Sequence, residues 1–566
     1  MRYPEVPICS RLIMKTVNAK STAALSPRER AQAQYERGFS QVVKKISRLD
    51  KRYFIAECAQ KIADIKNTGE ISFDFEHVLI LAIKISATSE GGKRRATKKE
   101  MVDIINRIWR LHNCLIPYLE PDHNPLVAIR AMANQQSTLQ HNIMNSHADI
   151  MRQSLLLAES EELNNHFKKH IGISIATYCW IWTLILAQTS NSKSGSSEIS
   201  IPQLIHDSQA WTSPKEIFLF FRAFSITINE MPEFFTKFTT YDTDFESYFY
   251  DSPLKQMPFI YTGRAIRTIS NNLAASAASF ILPHTFKTRP EISSKFKDVF
   301  TKKFEKHTGS ILTNTGLPYH NEDSIKEIYR SLGKSGNKNN VVDHMLTLHD
   351  SKKILLIESK GVEQTDFVKV ILDPATLTDR LKDNHIKGIM QTQQCANILA
   401  NSAQFSDYDF YSFIIVNDDY GFSDAASLER MISPQLLNST KYKILDPSPV
   451  PLEKILFVRI STLEKICSSV QDNEYTLEKL LEQINRRELF NNLERLHHTL
   501  TESHPAEAIQ KFVTIDSPHL RALSTQDSGH SGLYSPSQLI TKCLHVLDSI
   551  HRTKIAVLAM GLPSSD

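Results

Sequence analysis

The segment Val341–Gly361, VVDHMLTLHDSKKILLIESKG, decides how the rest of this chain of 566 residues is interpreted. It predicts two β-strands joined by a polar turn over His349–Lys353, because two apolar runs flank residues that are typical of turns. The first strand is predicted to carry Asp343, and the second ends in the charged run Glu358–Lys360. Charged groups at the end of an apolar strand are costly to bury unless they pair or bind a ligand.

The predicted pairing of these strands gives the charges a common location. Side chains alternate along a strand, so Glu358 and Lys360 project to one face and Ser359 projects to the other. Pairing across the turn would bring Asp343 near Glu358. Two neighbouring carboxylates repel each other unless a cation lies between them, and Mg²⁺ prefers such hard oxygen ligands.

This arrangement resembles the PD-(D/E)xK nuclease superfamily, which includes restriction endonucleases, Holliday-junction resolvases and RecB-type exonucleases. The resemblance implies a restriction-endonuclease-like α/β core with a central mixed sheet. It also implies Mg²⁺, with Mn²⁺ as a substitute, held by Asp343, Glu358 and the backbone carbonyl of Ser359. Lys360 would then orient the attacking water or stabilise the developing negative charge.

The family also has a helix that carries a glutamate before the aspartate strand. A helix is predicted near Glu322–Leu332, and by spacing Glu322 matches this acid better than Glu327 does. Glu327 could instead be the capping-box partner of Ser324. This chain has a polar loop at 334–340 where family members often have an apolar strand.

Many family members place a glutamine on the helix that follows the second strand. A helix predicted near Ile386–Ala400 contains Gln391, Gln393 and Gln394, and the resemblance implies that Gln391 or Gln394 positions water or phosphate. The tyrosine that follows glutamine in the RecB-like pattern is missing. The subgroup, and the choice between an endonuclease and an exonuclease, therefore stay open, with an endonuclease favoured.

The chain is too long for one compact core, so we expect a multidomain α plus α/β protein. Residues 1–285 are predicted to be a mostly helical recognition or regulatory region. Residues 286–465 would form the α/β domain, because strands and helices alternate there. Residues 466–566 would be helical, with a mobile loop near 517–537 that is rich in Ser, Gly, His and Pro.

The formal net charge is only +4, so any nucleic-acid surface must come from local patches. A basic loop that enters a helix and a loop beside the candidate site are the predicted phosphate-contacting segments, with a solvated surface as the alternative for the first. Their residues are Lys93, Arg94, Arg95, Lys98 and Lys99, and Lys334 and Lys338. A second set could flank a DNA groove or form a solvated helix face, and it comprises Lys295, Lys297, Lys302, Lys303 and Lys306.

The 7 cysteines form no CxxC pair, which favours a reducing, cytoplasmic setting over a disulfide framework or a zinc site. The segment Ile171–Gln188 carries no charge over 18 residues, the lower limit for a membrane span. Because it also contains polar residues, a buried core helix is the favoured interpretation.

Three functions remain open. The first is a Mg²⁺-dependent nuclease that cuts DNA rather than RNA, by family analogy alone, in restriction or phage defence. A protein partner or a homo-oligomer is compatible with its large helical region. The second is an inactive nuclease-like fold that serves as a scaffold for nucleic acid or protein, and the third is a membrane-associated helical protein.

Overall fold

The computed structural model describes most of the chain up to residue 485. The ranges are 25–65, 72–120, 125–139, 143–190, 194–209, 211–237, 244–263, 265–334, 341–361, 366–418, 420–432 and 447–485, with short stretches at 192, 500, 508–509 and within 541–552. Lys338, the predicted loop near 517–537 and most of the predicted C-terminal helical region lie outside the described residues.

Helices make up most of the described structure. They are α1 (Pro27–Ile46), α2 (Lys51–Asp64), α3 (Ser72–Thr88), α4 (Lys98–Trp109), α5 (Pro125–Leu139), α6 (Ile143–Leu157), α7 (Glu161–Ile171), α8 (Ile175–Ser190), α9 (Ile201–Ser208), α10 (Pro214–Phe224), α11 (Met231–Thr236), α12 (Asn271–Lys287), α13 (Pro290–Thr313), α14 (Glu322–Ser331), α15 (Pro374–Leu381), α16 (Lys387–Ala400), α17 (Ala425–Met431), α18 (Ile460–Gln471) and α19 (Leu477–Ile484).

The strands form two sheets. They are β1 (Ser225–Ile226), β2 (Phe259–Tyr261), β3 (Ile266–Thr268), β4 (Tyr319–Asn321), β5 (His344–Leu348), β6 (Lys353–Lys360), β7 (Asp409–Val416) and β8 (Ile455–Arg459).

Local sequence explains where α4 begins. Thr97 accepts a hydrogen bond from the backbone N–H of Glu100, and the Glu100 carboxylate accepts one from the backbone N–H of Thr97. This capping box satisfies amide groups that would otherwise lack partners in the first turn. Behind it, Ile104 and Ile108 lie four residues apart on the buried face.

The uncharged segment around residue 180 forms a buried helix. Gly172, with φ of 93°, ends α7, and α8 begins at Ile175. Tyr178 and Trp182 are fully buried in a large apolar cluster. Among the described residues no single helix is long and apolar enough to cross a membrane, although α7 and α8 together pass that test with a 66° bend between them.

A small sheet lies inside the region that was predicted to be mostly helical. Its strand order is β1-β2-β3, with β1 parallel to β2 and β2 antiparallel to β3. It was not predicted from the sequence, because each strand has only two or three residues.

The larger sheet has five strands in the order β4-β5-β6-β7-β8. The β4–β5 and β5–β6 pairs are antiparallel, whereas β6, β7 and β8 run parallel to one another. This mixed sheet confirms the predicted mixture of α and α/β structure at the level of secondary structure. β7 and β8 coincide with apolar runs of the sequence, as expected for strands covered on both faces.

Both faces of the larger sheet are covered. Along β6, Ile354 and Leu356 belong to one apolar cluster and Leu355 and Ile357 to a second, as the alternation of side chains requires. The first cluster includes residues of α16, and the second includes three phenylalanines of α13. A strand that is covered on both faces is expected to be apolar throughout, as the centre of β6 is.

The domain boundaries expected near residues 285 and 465 stay predictions. Each of the two large clusters contains residues from before and after residue 286. The predicted boundary between residues 465 and 466 falls inside α18.

Candidate active site

The antiparallel pairing of β5 and β6 brings the two central carboxylates together. His344 is paired with Ile357, so Asp343 and Glu358 occupy the next opposed positions. The backbone N–H of Ser359 donates a 2.7 Å hydrogen bond to Oδ2 of Asp343. The sequence predicted Asp343 within the first strand, whereas β5 begins one residue after it. The hydrogen bond from Ser359 therefore holds the Asp343 side chain against β6.

Glu358 is almost completely buried, with 2% of the residue exposed. Burial first, and then the negative charge of Asp343, raise the pKa of the Glu358 carboxyl to about 8, although Lys360 and the nearby backbone N–H of Asp343 act in the opposite direction. Its Oε2 atom has no hydrogen-bond partner of normal geometry among the described residues. A buried acceptor without a partner is costly and indicates that a donor or a cation belongs there.

Lys360 lies between Glu358 and helix α16. Its Nζ atom is 2.5 Å from Oε1 of Glu358 and donates a 2.8 Å hydrogen bond to Oε1 of Gln391. The glutamine helix predicted from the sequence therefore contacts the charged strand. Gly388 packs closely on β7, because a β-carbon there would lie 3.2 Å from the side chain of Ile414.

The sequence analysis did not identify Glu305 on α13. Burial, followed by the charges of Asp343 and Glu322, raises the pKa of the Glu305 carboxyl, whereas Lys326 and Lys360 lower it. The effect of Asp343 on this pKa indicates that Glu305 lies near the candidate site. From the sequence, α13 was singled out only for its lysines. The signal that could have identified Glu305 is its position next to Phe304, which is buried, in the helix that precedes β4.

Glu322 begins α14 but is directed partly to solvent. Its carboxylate is 2.7 Å from Nζ of Lys326, and 44% of its side chain is exposed. It still raises the pKa of the Asp343 carboxyl, after the larger effect of burial. Glu327 is exposed, and Asn321 rather than Ser324 caps α14, so the proposed capping box of Glu327 with Ser324 is wrong.

One strand of the larger sheet was not predicted from the sequence. β4 lies between α13 and α14 and pairs with β5, with Tyr319 opposite Leu346. The sequence Tyr-His-Asn is polar and only three residues long, so it carries no strand signal.

Two buried histidines lie near the candidate site, His344 directly after Asp343 and His385 within the influence of Lys360. Burial lowers the pKa of His344 to about 4, and burial with the charge of Lys360 lowers that of His385 to about 3. Both are therefore neutral near neutral pH. His385 belongs to a π-helical turn, Lys382–Ile386, that leads into α16. Such turns are frequent at functional sites.

Two arginines of the predicted basic loop around residue 94 contact residues nearby. Arg94 forms two hydrogen bonds with the Glu100 carboxylate, and Arg95 lies 4.9 Å above the ring of Tyr53. Lys93, Lys98 and Lys99 are exposed, as is Lys334 near the candidate site. A role in phosphate binding stays a prediction for these residues.

The donor set near Asp343 fits a hard cation. Two carboxylates with raised pKa values and one oxygen without a partner are the groups that Mg²⁺ would bind, with water completing its coordination. Another described cluster, His166, His170 and Glu291, brings its ligand atoms within 4.8 Å of one another. Its fit is poorer, because the Arg289 guanidinium donates to Nδ1 of His170 and adds positive charge.

Comparisons with protein-family models, with curated proteins and with solved structures find no match to this chain. The site is therefore interpreted from its own geometry and from the family resemblance of its residues.

Proposed function

We propose that this protein is a Mg²⁺-dependent nuclease that hydrolyses phosphodiester bonds, with DNA as the favoured substrate. The observation that carries the proposal is the buried Oε2 of Glu358, which lacks a partner beside Asp343 and Lys360. A buried salt bridge with an unsatisfied oxygen is a poor source of stability. A site for a cation and a phosphate accounts for all three side chains.

The order of elements supports the family resemblance. Helix α13 with Glu305 precedes β4 and β5, β6 ends in Glu358 and Lys360, and α16 with Gln391 follows before β7. The two antiparallel pairs followed by a parallel pair give the mixed sheet that the resemblance implies. In this interpretation α14 is an insertion between β4 and β5.

Each residue would then have a defined role. Asp343, Glu358 and the Ser359 carbonyl would hold Mg²⁺, which when bound lowers the pKa of a coordinated water and stabilises charge on the phosphate. The Lys360 ammonium, oriented by Glu358 and Gln391, would donate to the water or to a phosphate oxygen. Glu305 would orient the water or complete the metal's outer shell.

A panel of substrates tests the proposal and defines the substrate class. Supercoiled, linear and single-stranded DNA and RNA would be incubated with the full chain in Mg²⁺, Mn²⁺ or EDTA. Cutting in either metal and none in EDTA is expected, and cutting of the closed circle would identify an endonuclease. If no substrate is cut but nucleic acid is bound, the inactive-scaffold alternative replaces the proposal.

The cellular role is a wider part of the same proposal. A large helical region joined to a nuclease core suits restriction or phage defence in the cytoplasm, since such enzymes need a separate recognition surface. Loss of plaque protection with Asp343→Asn would support this role. A genome-maintenance phenotype without any effect on phage would contradict it.

A further inference from the structure

An open cleft of about 400 Å³ lies beside the carboxylates. It is lined by residues of α13, by Tyr319 of β4 and by His344 of β5. Glu305 lines the cleft, and the negative charge of Asp343 raises the pKa of the Glu305 carboxyl. The cleft is therefore directly connected with the acidic site.

Two exposed lysines line the cleft. Lys302 and Lys306 are four residues apart on α13, which places them on the same face of the helix, about 6 Å apart along its axis. Neither has an ion-pair or hydrogen-bond partner within the part of the chain that the structure describes. Two unpaired positive charges beside an acidic site leave the cleft suited to an anion.

Other lysines of the same helix have a different role. Lys295 pairs with Glu162 at 2.9 Å, and Lys303 pairs with Glu159 at 2.7 Å. These pairs connect α13 to α7 and to the turn before it. Helix α13 therefore carries two paired lysines, which connect it to its neighbours, and two unpaired lysines that line the cleft.

We propose that the cleft binds the sugar–phosphate backbone of the nucleic-acid strand next to the scissile phosphate, with Lys302 and Lys306 contacting successive phosphates. This inference rests on the proposed nuclease function, because Glu305 connects the cleft to the reacting site. A polynucleotide is favoured over a free nucleotide because two lysines one helical turn apart can engage two separate phosphates, whereas the exposed cleft offers little to enclose a base. Backbone contacts of this kind position a strand without selecting its sequence.

Binding measured without cleavage tests this inference separately from catalysis. Full-length protein carrying Asp343→Asn would be titrated with labelled duplex DNA and with labelled single strands at several salt concentrations. The test variant is Lys302→Gln/Lys306→Gln. The matched control is Lys295→Gln/Lys303→Gln, which removes the same charge from the same helix.

The test variant should lose both affinity and salt dependence. Each phosphate contact to duplex DNA adds about 0.9 to the slope of log K against log salt, so the slope should fall by about 1.8. Affinity at 0.1 M salt should fall on the order of 10- to 60-fold. The control should bind like the parent protein, and circular dichroism should show both variants folded.

Three results would overturn the inference. They are equal binding by the test and control variants, no binding of any polynucleotide, and competition by a mononucleotide or inorganic phosphate as effective as that by a strand at equal phosphate concentration. The nuclease proposal is judged apart from these results, by metal-dependent cutting with the otherwise unchanged chain.

Discussion

At the scale of single residues, Glu358 is the most informative group. It is held in an apolar strand, next to another carboxylate, with a lysine on one oxygen and no partner of normal geometry on the other. Burial raises its pKa to about 8, so a proton competes with a cation for this carboxyl near neutral pH. Cation binding must displace that proton, which links metal affinity to pH.

This linkage predicts how stability varies with pH in EDTA. The folded-state pKa of Glu358 lies above the ordinary value of 4.5, so its contribution is fully present below pH 4.5 and is lost as the pH rises through about 8. The Tm in EDTA should fall between pH 6 and pH 9 by more in the wild type than in Glu358→Gln. Mg²⁺ should restore the wild-type Tm at pH 9.

The control for this experiment is Asp350→Asn in the exposed turn of the same hairpin, which should follow the wild type. Equal pH profiles for the wild type and Glu358→Gln would show that Glu358 is ionised throughout, as an ordinary ion pair with Lys360.

Glu305 and Glu322 provide a second prediction at this scale. Glu305 is half-buried beside Asp343, whereas Glu322 is paired with Lys326 at the surface. Glu305→Gln should lower metal-dependent cutting about 10- to 100-fold, the usual effect of losing an outer-shell carboxylate. Glu322→Gln should cost less than Glu305→Gln in the same rate measurement. The reverse order would restore the assignment made from the sequence.

At the scale of elements, the hairpin and the glutamine helix could be predicted because their signals are local. Apolar runs on both sides of a polar turn define β5 and β6, and Glu358 and Lys360 share a face because side chains alternate along a strand. β4 could not be predicted, since three polar residues form a strand only by pairing with β5. Glu305 was missed because its role depends on how α13 packs against β6, which involves contacts distant in sequence.

The contact between α13 and the end of β6 gives a prediction. A β-carbon at Gly361 would lie 2.8 Å from the ring of Phe304, which precedes Glu305. Gly361→Ala should therefore displace α13 and destabilise the fold by about 1–3 kcal/mol, as overpacking does. Urea denaturation measures this loss.

A smaller side chain at position 304 tests whether crowding by Phe304 causes the loss of stability. Adding Phe304→Leu to Gly361→Ala should recover part of the stability relative to the sum of the two single changes. Strict additivity of the two substitutions would show that Phe304 does not oppose the added methyl group.

At the scale of the whole molecule, a buried ionic network connects three helices. Arg152 of α6 binds the Glu464 carboxylate of α18 through two nitrogens, at 2.8 and 2.5 Å, and His307 of α13 lies 2.9 Å from the same carboxylate. These residues come from two of the three predicted regions, Arg152 from 1–285 and both His307 and Glu464 from 286–465. A local sequence pattern cannot show this network, because its three residues are more than 150 residues apart in the chain.

Removing Arg152 should therefore have a large effect. Arg152→Met leaves the buried Glu464 with His307 as its remaining partner in the network, and losing one member of a buried pair costs about 3–5 kcal/mol. Arg94→Ala, which breaks the exposed pair with Glu100, should cost less than about 1 kcal/mol. Denaturation curves that shift equally for the two variants would show that the network adds little to cohesion.

Cleavage of a supercoiled DNA circle in Mg²⁺ is the first measurement to make, because it reports the proposed activity itself. We expect the wild type and the exposed control Asp350→Asn to convert the circle to nicked or linear DNA, and we expect EDTA, Asp343→Asn and Lys360→Ala each to abolish the conversion. Equal cutting by Asp343→Asn and the wild type, or cutting that persists in EDTA, would show that these residues do not form a metal-dependent nuclease site.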